Sequence, residues 1–549
     1  MTLLFDASGD IQLAHASLAS RGITPVQPVQ KDELKLRCLG STLRRVRQTR
    51  PQTCYIFCRQ MRSQFNRFPL KLAAALSGVK KIHFCDEYNI GAGVTPARVV
   101  FLDLPLYLAH CLYALVAWAA VAGLYALLWL ICRLRKPVGS PGNSSRALCY
   151  IKTDFWHDLK AGGSVTHTRE FINAGCELGY DIRIFSCDPL VHYKLRPKVE
   201  VVPPSPALYD LPILFSQLEY NLRFPLAVLR KMRGVPCDGI YQRHSSNNFS
   251  GVVLSQLLNV PFLLEHNSSS AWIAKNWSAE DSAIIPALCE RLNFLGARRI
   301  AVVSETLKQN LVSAGIEPAK ILVNPNGVDP SRFGPHVDAS AAWSRLPSGK
   351  LLVGFIGVFG QWHGVLTLMR SVKHVIEACP QAQFVIIGDG ALKQQMLDIL
   401  SSDGTLQHVT FTGLVSHDAA PAYLNACDLL VSPHEDMADG STFFGSPTKI
   451  FEYMATGKGI VASNVGQLGQ ILEHEREALL VGQRNELQLA AAITRLLRDP
   501  ALRSTLGAAA RSKVTSNFTW HENFRRAVAG FHINNASGTF QPHPQEAVA

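Results

Sequence analysis

Residues 440–459, GSTFFGSPTKIFEYMATGKG, bring a cation, a carboxylate and several small residues into one short segment. Ser446 followed by Pro447 reads as an N-cap and a first helical residue, because the hydroxyl can accept from an orphan amide while Pro has no amide to satisfy. A helix is expected from Pro447, with Gly445, Ser446 and Lys449 at its start. Free amides, the positive end of the helix dipole and one ammonium then face a single point, which suits a diphosphate. Glu452, three residues past Lys449, lies on a neighbouring face and can accept from sugar hydroxyls. Gly457 closes the helix as a left-handed cap. The plainer alternative is an ordinary capped helix with Lys449 and Glu452 paired on its surface, and the surrounding chain has to separate the two.

Glycines recur where apolar runs end. In residues 351–365, LLVGFIGVFGQWHGV, an apolar strand leads into Gly357, Gly360 and Gly364, and a helical run follows. QFVIIGDG ends in Gly388 and Gly390, VTFTGLV carries Gly413 and Val415, and CDLLVSP and GIVAS are two more strands. Earlier, ALCYI (147–151) precedes a loop with Gly162 and Gly163 and a helix from about Val165 that carries His167 and Arg169. That strand, glycine loop and helix open a Rossmann unit. DGIYQR and VPFLLEHN are further strands; alternation puts Glu265 and Asn267 on one side of the second and His266 on the other. Polar residues at the C-terminal ends of parallel strands fit a ligand crevice.

These elements fall into an α/β architecture of two tandem Rossmann-like domains, 146–335 and 350–515, joined through the polar stretch 329–350. A terminal helix over 516–533 and a disordered tail over 534–549 complete the chain. Ahead of the domains, residues 1–100 have the rhythm of a partial βαβ unit: apolar runs at 2–5, 54–58 and 81–85 with helical patterns between. Residues 104–132 carry no charge and exceed the roughly 20 residues a helix needs to cross a bilayer, so a membrane segment is expected. Arg133, Arg135 and Lys136 follow it and place the C-terminal part in the cytoplasm. Residues 1–100 hold fifteen Lys and Arg against six Asp and Glu, so the other flank also looks cytoplasmic. A tilted span and a re-entrant hairpin bending near Gly123 both fit.

The chain, at 549 residues, is too long for one core, and its hydrophobic fraction of 47% with 17% charged residues is high for a wholly soluble enzyme. The formal charge of +12 sits mostly in the first hundred residues. No basic-aromatic nucleic-acid module accompanies it, which points to an anionic membrane surface instead of nucleic acid. The 13 Cys are scattered without a CxxC pair and the His are not clustered, so neither a metal site nor a disulfide framework is expected.

Taken together, NPNGVD, GVFGQWHG, IIGDG, FTGLV, CDLLVSP and SPTKIFEYMATGKGIVAS resemble the family-four retaining glycosyltransferases of GT-B fold, specifically a subgroup with an SPxKxxEYMAxGK pattern, over roughly residues 147–533. The resemblance implies a nucleotide-sugar donor on the C-terminal domain, an acceptor on the N-terminal one, and transfer of a hexose. Of the family's two Glu separated by seven residues, Glu452 matches the second, ribose-binding one and Phe444 stands at the first. The family's phosphate-binding Arg and Lys fall on Val358 and His363, and its catalytic His on Asn267. Lys449 and His363, with amides near Gly445 and Ser446, are expected to hold the diphosphate. The base is expected near Gly413 to Val415, with Gly357, Gly360 and Gly388 lining the donor and Gly162 and Gly163 closing over it. No metal and no cofactor beyond the co-substrate is expected.

The membrane segment and basic region make a lipid-linked glycan acceptor the expected partner, on the cytoplasmic face of the inner membrane, in surface or exopolysaccharide assembly. Two other classes stay open: a catalytically silent GT-B membrane protein that binds a sugar nucleotide or scaffolds an assembly complex, and a purely structural membrane-associated protein.

Overall fold

Short β-branched and aromatic runs, most of them followed by a helix, pair in parallel because a crossover returns the chain to the same edge of the sheet. In the computed structural model, residues 2–24, 27–61, 63–135, 137–139, 146–155, 163–190, 197–276 and 283–532 are described. Ala161 and Gly162 of the first glycine loop and the 534–549 tail lie outside them.

Three parallel sheets result. The first has the order β2-β1-β3-β4, from β1 (Thr2–Asp6), β2 (Gln27–Val29), β3 (Thr53–Phe57) and β4 (Lys81–Cys85). The N-terminal region is therefore a four-stranded unit with its own core, around Leu3, Phe5, Ile56 and Phe68, and not the partial unit expected. β2 escapes a reading by pattern because it is three residues long and carries Pro28, which only an edge strand tolerates.

The second sheet runs β11-β10-β9-β8-β5-β6-β7. It comprises β5 (Ala147–Lys152), β6 (Asp181–Ser186), β7 (Lys198–Val201), β8 (Gly239–Arg243), β9 (Phe262–His266), β10 (Arg299–Val302) and β11 (Ile321–Val323). The third, β14-β13-β12-β15-β16-β17, comprises β12 (Leu351–Ile356), β13 (Ala382–Ile387), β14 (Val409–Gly413), β15 (Leu429–Ser432), β16 (Gly459–Ser463) and β17 (Leu479–Val481). Strand order reverses beside β5 in one sheet and beside β12 in the other, and the crevices at such switch points are where open parallel sheets bind ligands.

The last helix, Trp520–His532, does not stay with the third sheet. It crosses back and buries Trp520, Phe524 and Phe531 against Leu148, Tyr150 and Phe171 of the second. Gly175 makes this contact possible: a Cβ there would lie 2.4 Å from the Phe524 ring.

The apolar segment forms one continuous helix, Leu104–Leu134, running straight through Gly123. The hairpin with a bend near Gly123 is thus not what the chain adopts. Ala114, Ala117, Val121, Leu128 and Cys132 are its buried residues, on one helical stripe. That stripe packs on the helices Ile213–Met232 and Ile284–Gly296 of the second unit. Tyr113 donates to Glu219 Oε1 at 2.7 Å and Tyr125 to the Leu288 carbonyl at 3.2 Å. Leu112, Leu115, Val116, Trp118 and Leu127 face outward.

Candidate functional site

The strand ends of the second and third units face each other across a cavity of about 640 Å³. From the third unit, the Thr448–Thr456 helix points its first turn into it. The helix starts one residue later than expected, because Pro447 is extended (φ −70°, ψ 118°), and no side chain caps it. Ser446 is not the cap: its hydroxyl accepts from the Asn326 amide at 3.1 Å, and Asn326 Nδ2 donates to the Ser446 carbonyl. The two residues tie the units together and leave the helix's leading amides open to the cavity. Gly457 ends the helix in the left-handed conformation, φ +72°, as expected.

Lys449 is 6% exposed, so it is not half of a surface ion pair. Its Nζ lies 3.0 Å from His363 Nδ1 and 4.2 Å from the centroid of the Phe355 ring. Two glycines create the space. A Cβ on Gly357 would stand 2.8 Å from the Lys449 ammonium, and one on Gly388, at φ +134°, would sit 1.9 Å from the Gly357 carbonyl oxygen.

Burial pushes Lys449 down to about 7, against the opposing pull of Glu452. Burial also pushes Glu452 up to about 7, opposed by Arg332 and Lys449. Burial, with Lys449 and His434 beside it, holds His363 far below the ordinary imidazole range. His363, expected to help hold the diphosphate, is therefore neutral beside the Lys449 ammonium. Accepting from Lys449 at Nδ1 leaves its proton on Nε2, so it offers an N–H donor.

The second unit contributes a charged network at the ends of β8 and β9. Arg243 Nη1 donates to Glu265 Oε1 at 2.6 Å, Tyr241 donates to Oε2 at 2.8 Å, and Asn267 Nδ2 donates to Oε1. His167 bridges outward: Nδ1 is 2.7 Å from Asn326 Oδ1, and Nε2 is 3.0 Å from Glu265 Oε1. Burial alone would raise Glu265, but His167 and Arg243 outweigh it and hold the carboxylate well below the usual range. His167 and Arg169, which the sequence leaves as either cleft-facing or solvated, both line the cavity, whereas Arg243 went unrecognised as a site residue. The in-register pairing of Arg243 with Glu265 across β8 and β9 is the signal that finds it.

Of the residues singled out by sequence, the structure gathers Gly163, Asn267, Gly357, His363, Gly388, Val415, Gly445, Ser446, Lys449 and Glu452 around the cavity. Gly360 and Gly413 are not among its lining. Gly360 starts the Gln361–His363 turn and Gly413 ends β14, its carbonyl accepting from the Gly388 amide; Leu414, beside Val415, lines the wall instead. Gly162 lies outside the described residues. Phe444 stacks edge-on against Trp272 at 5.3 Å, and its carbonyl accepts from Ser304 Oγ at 2.6 Å. That position serves contact between the units.

Comparison with known proteins gives the same two parts. Residues 161–332 match the Glycosyltransferase Family 4 model and residues 350–499 the model Glycosyl transferases group 1. An uncharacterized glycosyltransferase of Methanocaldococcus jannaschii is 24% identical over 306 residues, 54% of this chain and 75% of that protein. A GDP-mannose-dependent alpha-(1-6)-phosphatidylinositol monomannoside mannosyltransferase of Mycobacterium tuberculosis is 27% identical over 231 residues, 41% of this chain and 59% of that one.

Among solved structures, sucrose-phosphate synthase of Thermosynechococcus elongatus superposes with a TM-score of 0.55 at 22% identity, over 70% of this chain and 96% of that one. HepE of Anabaena in complex with UDP-glucose does so at 0.52 and 16% identity, over 70% and 98%. Those likenesses establish the GT-B fold. With both halves matched in order on a fold that holds a cavity between them, the chain is a glycosyltransferase.

Proposed function

We propose that this enzyme transfers a hexose, with retention, from a nucleotide sugar to a lipid-linked glycan at the cytoplasmic face of the inner membrane, in surface or exopolysaccharide assembly. The observation that carries the reading is Lys449, buried at the open start of the Thr448–Thr456 helix inside a cavity shared by both units. An ammonium and leading amides there neutralise a departing diphosphate, as preorganised donors do for developing charge. The Nε2–H of His363 adds a neutral donor, Glu452 takes the ribose hydroxyls, and Leu414 and Val415 flank the base.

In the reaction the anomeric carbon–oxygen bond to the diphosphate breaks. The acceptor oxygen bonds the same face of that carbon, and its proton passes to the departing phosphate oxygen. Asn267, held by Glu265, orients groups on the acceptor side. Charge on the diphosphate is met by Lys449 and amides, so this reading calls for no metal in the chemistry.

The lipid link rests on the outward apolar face of the Leu104–Leu134 helix and the basic first hundred residues. The mycobacterial relative, by its name, acts on a phosphatidylinositol monomannoside, which supports an acceptor of this kind. The test is turnover of UDP-, GDP- and ADP-sugars by purified protein with a membrane lipid extract, for wild type, Lys449→Ala and Glu452→Ala. One donor should turn over, with kcat reduced roughly 100-fold or more in Lys449→Ala. Undiminished turnover in Lys449→Ala would overturn the site assignment, and full activity on lipid-free acceptor the lipid link.

A further inference from the structure

Behind β9, on the face turned away from Glu265 and Asn267, three side chains from distant parts of the sequence meet. They are His244 just past β8, His266 at the end of β9, and Glu290 on the Ile284–Gly296 helix. Their ligand-type atoms all lie within 4.8 Å of one another. His244 Nε2 is 3.5 Å and His266 Nε2 4.0 Å from the same oxygen, Glu290 Oε1. Ser270 Oγ stands 2.9 Å from His244 Nε2 and supplies a fourth oxygen at the edge of the group.

The unusual member is His266. Its side chain is fully buried, and among the described residues neither ring nitrogen has a hydrogen-bond partner. A buried polar group left in that state costs on the order of 1–3 kcal/mol. Its neighbours do not explain it: the Phe294 ring packs edge-on at 5.0 Å and the His244 ring at 5.1 Å. Glu290 is held from behind, accepting from Ser269 Oγ and the Ser270 amide, both at 2.9 Å. Donors placed behind a carboxylate in this way fix it in the orientation a ligand needs.

We propose that His244, His266 and Glu290 bind one divalent transition-metal ion, Zn²⁺ by the character of the donors, with the Ser270 hydroxyl or a water in fourth place. Two imidazoles and a carboxylate suit Zn²⁺, at bond lengths of roughly 2.0–2.2 Å. Tetrahedral coordination at that length needs donor atoms about 3.3–3.6 Å apart, so the group closes by small side-chain rotations. The ion clamps the ends of β8 and β9 to the Ile284–Gly296 helix. Arg243 and Asn267, which line the cavity, and Glu265, which holds both, stand one residue from its ligands, so the clamp is a positioning device for the acceptor side. It is separate from the diphosphate chemistry and independent of it.

Full-length protein is stripped with EDTA, exchanged into metal-free buffer and titrated with Zn²⁺ and with Co²⁺. About one equivalent of Zn²⁺ per chain should be retained through gel filtration and should raise the thermal midpoint. Co²⁺ should give the intense visible bands of a tetrahedral site, without the near-ultraviolet thiolate band that any of the 13 Cys would add. His266→Phe, which fills the space beside Phe294, and Glu290→Gln should each weaken Zn²⁺ binding at least about tenfold and abolish the thermal shift. Nucleoside-diphosphate binding by each variant checks its fold. Zn²⁺ uptake by wild type no greater than by His266→Phe, or a weak octahedral Co²⁺ spectrum in wild type, would overturn the proposal and leave a buried water as the partner of His266.

Discussion

At the level of single residues, the third unit's side of the cavity is organised around a lysine that the protein itself keeps from being fully charged. The folded pKa of Lys449 is lowered to about 7 from an ordinary 10.5, so between those values the unfolded chain holds more protons and stability rises with pH. Glu452 is raised to about 7 from 4.5, so between 4.5 and 7 the folded chain holds more protons and stability falls with pH. The two effects together put a shallow minimum of ligand-free stability near neutral pH. Lys449→Met should remove the upper arm and raise stability at pH 7 by on the order of 1–2 kcal/mol, readable as a higher thermal midpoint. Binding of a nucleoside diphosphate should take up a proton above pH 7, and affinity for UDP or GDP should fall by up to about tenfold per pH unit there. Calorimetry in buffers of different ionisation enthalpy measures that uptake, and a flat profile in wild type would exclude Lys449 as the titrating group. Across the cavity Glu265 behaves in the opposite sense. Its lowered pKa means its contribution is complete above about pH 4.5 and fades as pH falls toward the folded value. Glu265→Gln leaves Arg243 without its counter-charge and should cost roughly 3 kcal/mol at pH 7, the gap to wild type narrowing below pH 4.5 in thermal melts.

Among the elements, the ones that build the third unit's side of the cavity are the most legible in the sequence, because their signals are local. β12 and β13 are apolar runs ending in glycine, and the turn chemistry after them admits few residues other than glycine. Gly388→Ala forces a Cβ onto the Gly357 carbonyl and should destabilise the third unit by roughly 2–3 kcal/mol, with loss of nucleoside-diphosphate binding out of proportion to the drop in thermal midpoint. Illegible elements have an equally physical explanation. The role of Ser446 depends on Asn326, 120 residues away, so a local capping rule assigns its hydroxyl to the wrong partner. The His244, His266 and Glu290 group draws on two strand ends and a helix face, and no spacing rule spans that distance. In the Leu104–Leu134 helix nearly every residue is apolar, so there is no contrast between faces for a periodicity to register. The stripe that packs on the second unit looks the same in sequence as the face that does not.

For the whole molecule, the proposed meeting with a membrane rests on that helix and on which of its faces is free. It is bound to the second unit along one side through Ala114, Ala117, Val121, Leu128 and Cys132, and through the hydroxyls of Tyr113 and Tyr125. Crossing a bilayer upright would strip those contacts and leave Glu219 and the faces of two helices without partners. Lying against the bilayer instead, the outer face with Leu112, Leu115, Val116 and Trp118 can enter the interfacial region while the catalytic units stay in water. Arg98 at one end and Arg133 and Arg135 at the other then sit where anionic headgroups attract them. The double substitution Leu112→Glu, Leu115→Glu changes only exposed positions, 64% and 54% exposed, and should leave the thermal midpoint within about 2 °C of wild type. Each buried charge costs about 2–3 kcal/mol on entering an apolar layer, so cosedimentation with anionic phospholipid vesicles should fall by well over tenfold. Val121→Glu, on the packed side, should instead unfold the second unit without requiring any lipid. Vesicle binding undiminished in the outer-face variant would show that the helix does not lie on the bilayer by this face, and would return the upright span to consideration.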